Sequence, residues 1–216
     1  TRKQILKDIV RAAGPYDGVQ LDLAYIPLRD RKHFITFIGD LRYMLKGKML
    51  SVCVPARFKR ATDDMYPYSD IALYCDRVFV MCYDEHWSTS APGPIADYEW
   101  CQKIVDYAVK SIPAKKLVMG IPFYGRTWAD KSHSGAWYFS GVNRVMRENN
   151  VSKVTYENDI PTFTYKTEIK VTGYFNDATS VLKFCRMYKD AGIEKVGFWR
   201  IGQEDPEIWN WFQINK

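Results

Sequence analysis

Asp22 is the first residue of this chain whose surroundings ask for chemistry. It lies in the apolar run VQLDLA (19–24), and in a strand successive side chains alternate between two faces. Val19, Leu21 and Leu23 then share one face, and Gln20, Asp22 and Ala24 share the other. The apolar set suits packing against outer helices, which turns Asp22 toward the interior of a curved sheet. A carboxylate there is unfavourable unless it has hydrogen-bond partners or a reaction to serve. Other reactive groups recur at equivalent places. Tyr83 and Asp84 end the run VFVMCYD (78–84), and Tyr124, Arg126 and Trp128 close or follow LVMGIPFY (117–124). Trp199 lies in VGFWRI (196–201), while Tyr25 and Trp87 fall just past their runs.

Several chemistries are absent. A doubly wound nucleotide binder carries a glycine-rich loop after its first strand, but here Tyr25-Ile26-Pro27 follows. His33, His86 and His133 have no metal-ligand spacing, so no metal or other cofactor is expected. Cys53, Cys75, Cys82, Cys101 and Cys185 are odd in number and form no CxxC pair. That argues against a disulfide framework or a metal cluster and leaves the redox compartment open. Cys53 and Cys82 sit in apolar runs, where a thiol behaves as a small buried hydrophobe.

The net charge is +6, but the basic residues are spread and the densest group, Arg57, Lys59 and Arg60, is short. A solvated surface is expected, and nucleic acid is not a partner. Apolar stretches reach only six to eight residues, whereas a membrane span needs about 20.

The elements that hold these residues alternate. Apolar runs at 19–24, 49–54, 78–83, 117–124 and 196–201 predict five strands. Helical periods separate them: Phe34, Ile38, Leu41 and Leu45; Trp100, Ile104 and Ala108; Val181, Phe184 and Tyr188. The chain opens on a helical pattern, TRKQILKDIVRAAG, with Ile5, Ile9 and Ala12/Ala13 on one face and Gly14 at its stop. Starts of the first three strands about 30 residues apart argue for a parallel sheet of βα units, hence an α/β fold. The interval from 117 to 196 is too long for one helix. Its excess, 129–176, reads as an α+β insertion with a helix at Val142–Glu148 and strands in PTFTYKT and IKVTGYF. The domains are accordingly 1–128 with 177–216, and 129–176. An open doubly wound sheet and part of an eight-stranded barrel both accommodate five strands.

YDGVQLDLAYIP resembles the signature strand of glycoside hydrolase family 18, whose pattern is D-G-x-x-x-D-x-E. VMCYD (80–84) is similar to the family's M-x-Y-D strand, GIPFYGRTW (120–128) to its seventh strand, and VGFWRIGQEDPEIW (196–209) to its eighth. The insertion falls where many members carry an extra lobe, and the phrase WSTSAPGP (87–94), W-S-x-x-x-P-G-P, is similar to the branch acting on peptidoglycan, including spore-cortex-lytic enzymes. The resemblance implies a (β/α)8 TIM-barrel type of fold present as strands four to eight, with the α+β insertion between the last two. It also implies that an upstream segment or another subunit supplies the other strands, and a secreted or cell-envelope setting, although no signal segment is present.

It implies substrate-assisted hydrolysis too. A glutamic acid protonates the glycosidic oxygen while the substrate's 2-acetamido carbonyl attacks the anomeric carbon. Carried over, Asp22 orients the acetamide, Tyr83 hydrogen-bonds its carbonyl, and Trp199 stacks on the sugar. Asp84, Trp87, Tyr124 and Arg126 line the same glycan site, with Tyr25 and Trp128 nearby. Trp100, Trp209 and Trp211 are expected in the core.

The acid position is Ala24, and a methyl group donates no proton. Gln20 and Leu23 also depart from the pattern, which favours natural loss over a single engineered change. Three readings follow. One is a non-hydrolytic domain binding N-acetylglucosamine-containing glycans of chitin or peptidoglycan. Another is an active glycosidase seen as a knock-out variant, or one using Asp84 or Glu85 as acid. The third is a protein-interaction scaffold.

Overall fold

The computed structural model describes residues 1–61, 63–130, 138–157 and 160–212. The chain divides into two compact units, Thr1–Arg126 with Tyr174–Lys216, and Thr127–Gly173.

The larger unit begins with α1 (Arg2–Ala12), β1 (Gly18–Leu21), α2 (Arg31–Met44), β2 (Met49–Pro55), α3 (Tyr68–Tyr74), β3 (Arg77–Met81), α4 (Tyr98–Ser111) and β4 (Leu117–Pro122). Next come β5 (Arg126–Ala129), α5 (Phe139–Glu148), β6 (Thr155–Glu157), β7 (Ile160–Thr162) and β8 (Val171–Tyr174), before α6 (Ala178–Asp190) and β9 (Val196–Trp199). In the smaller unit, β6 and β7 form an antiparallel hairpin, and β5 pairs with β8. The α5 helix is longer at its start than the expected Val142–Glu148.

The main sheet runs β1-β2-β3-β4-β9, and each pair of neighbours is parallel. Consecutive units are therefore neighbours, as βα connections require. Its middle strands are buried on both faces: Val52, Val54, Val78, Val80, Met119 and Ile121 on one, and Ser51, Cys53 and Val118 on the other. A parallel sheet covered on both sides reads as a continuous apolar run, which is why these strands were legible. Helices supply the outer cover through Ile38, Leu41, Ile104, Ala108, Phe184 and Tyr188. No helix among the described residues is long and apolar enough to cross a membrane.

Three local expectations need correction. The first strand stops at Leu21, paired with Val52, although β2 continues to Pro55. Asp22 and Ala24 therefore lie beyond the ladder, and Leu23 is 44% exposed rather than packed beneath helices. Four residues past Leu21, Tyr25 has a left-handed φ of 56°, which no strand could run through. On α1, Leu6 and Ala13 are buried while Ile5 is 53% exposed, so the buried stripe is rotated from the expected one. Trp209 and Trp211 are exposed as well, Trp209 touching Phe123 only edge-on. Helix α3 was not foreseen. It has seven residues after Pro67 and is held by buried Tyr68, Ile71 and Ala72.

Candidate active site

Strand ends of the main sheet place the site. In parallel βα folds the carboxyl ends of the strands carry the ligand groups. Here Asp22 follows β1, Tyr83 and Asp84 follow β3, Tyr124 follows β4, and Trp199 ends β9. Pro122 and Trp199 are direct partners across β4 and β9.

Close packing beneath these residues depends on two glycines. A Cβ on Gly197 would run into the Phe79 ring, and one on Gly120 would lie 2.9 Å from both Phe79 and Tyr83. Phe79 therefore covers bare backbone on β4 and β9, with Tyr83 beside it. Above this floor Tyr83 stacks with Trp199, centroids 6.5 Å apart and planes inclined by 22°. Trp199 keeps 47% of its surface exposed, leaving the ring available to a ligand. The Trp199–Arg200 peptide is cis.

Asp22, just past β1, is exposed, and its charge reaches Tyr83. Burial pushes the Tyr83 hydroxyl well above its ordinary range, and Cys53 and the Asp22 charge add to the shift. Burial likewise raises Cys53 to about 12, with Asp22 again contributing. Tyr66 is raised by burial and also feels Asp22. The Asp22 carboxylate thus sits within electrostatic reach of Cys53, Tyr66 and Tyr83. Tyr66 also donates its hydroxyl to the Leu23 carbonyl at 2.6 Å, fixing the backbone between Asp22 and Ala24. Sequence reasoning missed Tyr66, because its loop carries no pattern linking it to β1.

A second cluster adjoins Tyr83. Asp84 adopts a φ of 58°. Its Oδ1 accepts from the Tyr124 hydroxyl at 2.6 Å and from Arg126 at 2.7 Å. The Arg126 guanidinium carbon lies 5.4 Å from the centre of the Tyr124 ring. Burial and the bond to Asp84 raise Tyr124, and the same carboxylate raises Arg126. The Arg126 Nε is buried and has no hydrogen-bond partner among the described residues. Between these two residues, Gly125 admits the backbone of Tyr174 and Phe175, which a Cβ would meet at 2.6 Å.

The remaining candidates separate. Trp87 is half-exposed on the loop after Asp84 and donates Nε1–H to Thr89 at 2.9 Å. Tyr25 is 98% exposed, and Trp128 is buried within the smaller unit. Glu85 is raised by burial, and its Oε2 accepts the Asp97 N–H at 2.8 Å at the start of α4. Ala24 is exposed and has no ionisable group to offer.

What the cluster can do follows from its parts. It offers an open indole face, a phenol held protonated far above neutrality, a carboxylate within electrostatic reach of that phenol, and a carboxylate–guanidinium pair. The cluster thus combines an exposed aromatic face with hydrogen-bonding groups, and it holds no proton donor at position 24.

Comparison with known proteins extends this geometry. The chain is 29% identical over 208 residues to the uncharacterized glycosylase YvbX of Bacillus subtilis, covering 90% of this chain and 60% of that one. The spore cortex-lytic enzyme SleL of Bacillus cereus superposes with a TM-score of 0.76 at 22% identity, covering 97% of this chain and 52% of that one. A chitinase of Chromobacterium violaceum gives a TM-score of 0.74 at 27% identity, covering 97% and 69%. The chain spans about half the length of curated relatives it matches. These superpositions make the main sheet part of a TIM-barrel fold. Residues 2–204 match the family model for glycosyl hydrolases family 18, and the chain belongs to that family.

Proposed function

We propose that this chain binds N-acetylhexosamine glycans of the chitin or peptidoglycan type and does not hydrolyse them. One observation carries the reading: Tyr83 is stacked on an exposed Trp199 and feels the Asp22 charge, while the position two residues beyond Asp22 is a methyl group. In this reading Trp199 takes the sugar ring, Tyr83 donates to the acetamide carbonyl, and Asp22 orients the acetamide N–H. Asp84, Tyr124 and Arg126 bind hydroxyls at the next sugar, and Trp87 contributes from the rim. SleL is named a spore cortex-lytic enzyme and the C. violaceum relative a chitinase, so both glycans lie within the family's range.

Cleavage through a substitute acid is the competing reading, and the geometry disfavours it. Asp84 Oδ1 already receives two hydrogen bonds, and Glu85 is turned to the Asp97 backbone. The open edges of β1 and β9 in the described sheet are where further strands of a closed barrel would pair, from a longer chain or a second subunit.

Calorimetric titration with chitotetraose, and with the glucose tetramer as control, tests the proposal. The N-acetylated oligomer should bind and the glucose oligomer bind worse, because without the acetamide the hydrogen bonds to Tyr83 and Asp22 are lost. Absence of binding by both, or equal affinity for both, would turn the reading toward the scaffold. Release of reducing ends that disappears in Glu85→Gln or Asp84→Asn would show a substitute acid instead.

A further inference from the structure

The smaller unit, Thr127–Gly173, has a surface of its own that the strand-end site does not use. Just past β7, the rings of Phe163 and Tyr165 stack with centroids 6.2 Å apart and planes inclined by 17°. Two clefts share this wall, one of about 290 Å³ and the other of about 650 Å³. Asn149, Asn150 and Lys153 line the first, and Lys166 lines both. Neither cleft has a carboxylate among its described lining residues.

The chemistry of that lining is specific. A flat aromatic wall suits the apolar face of a pyranose, because ring contacts are offset rather than shape-locked. Carboxamides offer donors and acceptors to hydroxyl or acetamide groups. The Asn149 Nδ2 is held by the Val145 carbonyl at 2.8 Å, which fixes the amide and leaves its oxygen as an acceptor. Lys153 and Lys166 are exposed ammonium groups, and with no carboxylate among the described lining residues they favour an anionic ligand. A neutral chitin strand gives those lysines nothing to pair with.

We propose that Thr127–Gly173 carries a second saccharide site, selective for N-acetylated glycans that bear carboxylates, the chemical class of a peptidoglycan strand. Phe163 and Tyr165 form its stacking wall, the asparagines bind its polar edge, and Lys153 and Lys166 select the acid. The proposal takes the ligand class from the glycan reading above and uses none of that site's residues.

The test uses the full chain with two probes, the N-acetylglucosaminyl–N-acetylmuramic acid disaccharide and diacetylchitobiose. A Trp199→Ala background weakens the strand-end site so that the remaining binding reports on the smaller unit. The acidic disaccharide should still bind this variant, more weakly as salt rises from about 50 to 500 mM, since exposed charge pairs are screened. Adding Tyr165→Ala should lower the affinity by about fivefold or more, as loss of a stacking ring predicts. Tyr165→Phe keeps the ring and should restore it, which separates stacking from misfolding. Replacing Lys153 and Lys166 by Gln should weaken the acidic disaccharide alone. Insensitivity to Tyr165→Ala and to the lysine changes, or equal affinity for both probes, would overturn the proposal. If Trp199→Ala leaves chitobiose binding by the otherwise unaltered chain unchanged, the strand-end reading fails while the outcome for the smaller unit stands.

Discussion

At the scale of single residues, Ala24 divides binding from chemistry. The Asp22 charge acts on Tyr83, and in the proposed reading these two groups hold and orient an acetamide where the proton donor is missing. Two outcomes follow. Ala24→Glu should release reducing ends from chito-oligomers above the parent by roughly the 10²–10⁴-fold that a general acid contributes. An aryl N-acetylglucosaminide needs no proton on its leaving group, and its cleavage by the parent should exceed the no-protein rate. Silence of a folded Ala24→Glu variant on both substrates would mean that the cluster is not a catalytic remnant. Tyr83→Phe removes one hydroxyl and should weaken chitotetraose binding several-fold, from the ~0.5–1.5 kcal/mol net value of a hydrogen bond. Calorimetry reads that change directly, and unchanged affinity would take Tyr83 out of the site.

At the scale of elements, the strands were legible because parallel strands covered on both faces announce themselves as apolar runs. Their ends were not. Left-handed Tyr25 and Asp84 interrupt chains of otherwise strand-like residues, and no local composition marks them. Helix α3 escaped because seven residues span too few turns for a period to show. The candidate site residues were singled out through motif order, whereas the Tyr66 bond to Leu23 joins segments 43 residues apart and leaves no trace in sequence. Gly197→Ala belongs to this scale. Its methyl group would push Phe79 aside, and overpacking of this kind destabilises by roughly 1–3 kcal/mol. Thermal melting should show the loss, and an unchanged midpoint would mean that Phe79 can move freely.

The start of α6 gives a further measurement at this scale. Asp177 accepts the Ser180 N–H at 2.8 Å, and the Ser180 hydroxyl accepts the Asp177 N–H at 2.9 Å. The backbone bond from Ser180 holds the Asp177 carboxyl below its usual range. A depressed folded-state value adds stability above the ordinary carboxylate range, and that stability disappears as pH falls through the depressed value. Asp177→Ala should lower stability at neutral pH by ~1 kcal/mol, as lost N-caps do. The difference from the parent should shrink on acidification below pH about 4. A constant gap across pH would show that the ionised form is not what caps the helix.

At the scale of the whole molecule, the apolar core is built by the larger unit alone: its buried cluster runs from Leu6 to Phe123 and from Ala178 to Ile208. No described residue of Thr127–Gly173 belongs to that cluster. Replacing 127–173 by a short Gly-Ser linker should therefore leave the far-ultraviolet signature of the larger unit and its cooperative melting intact. Collapse of that transition would show that the smaller unit is part of the folding unit.

The five thiols turn this architecture into its own reporter. All are unpaired; four are buried and Cys185 is half-buried. Burial lifts Cys53 and Cys75 to about 12 and Cys185 to about 11. The thiolate is the reactive species, so at pH 8 a disulfide reagent reaches them mainly during openings of the fold. Cys53 lies within the electrostatic reach of Asp22, so its labelling rate measures how often the strand-end site breathes. A bound glycan should slow Cys53 and leave Cys185 at its own pace, so that ligand occupancy becomes readable as a ratio of two alkylation rates in one peptide digest.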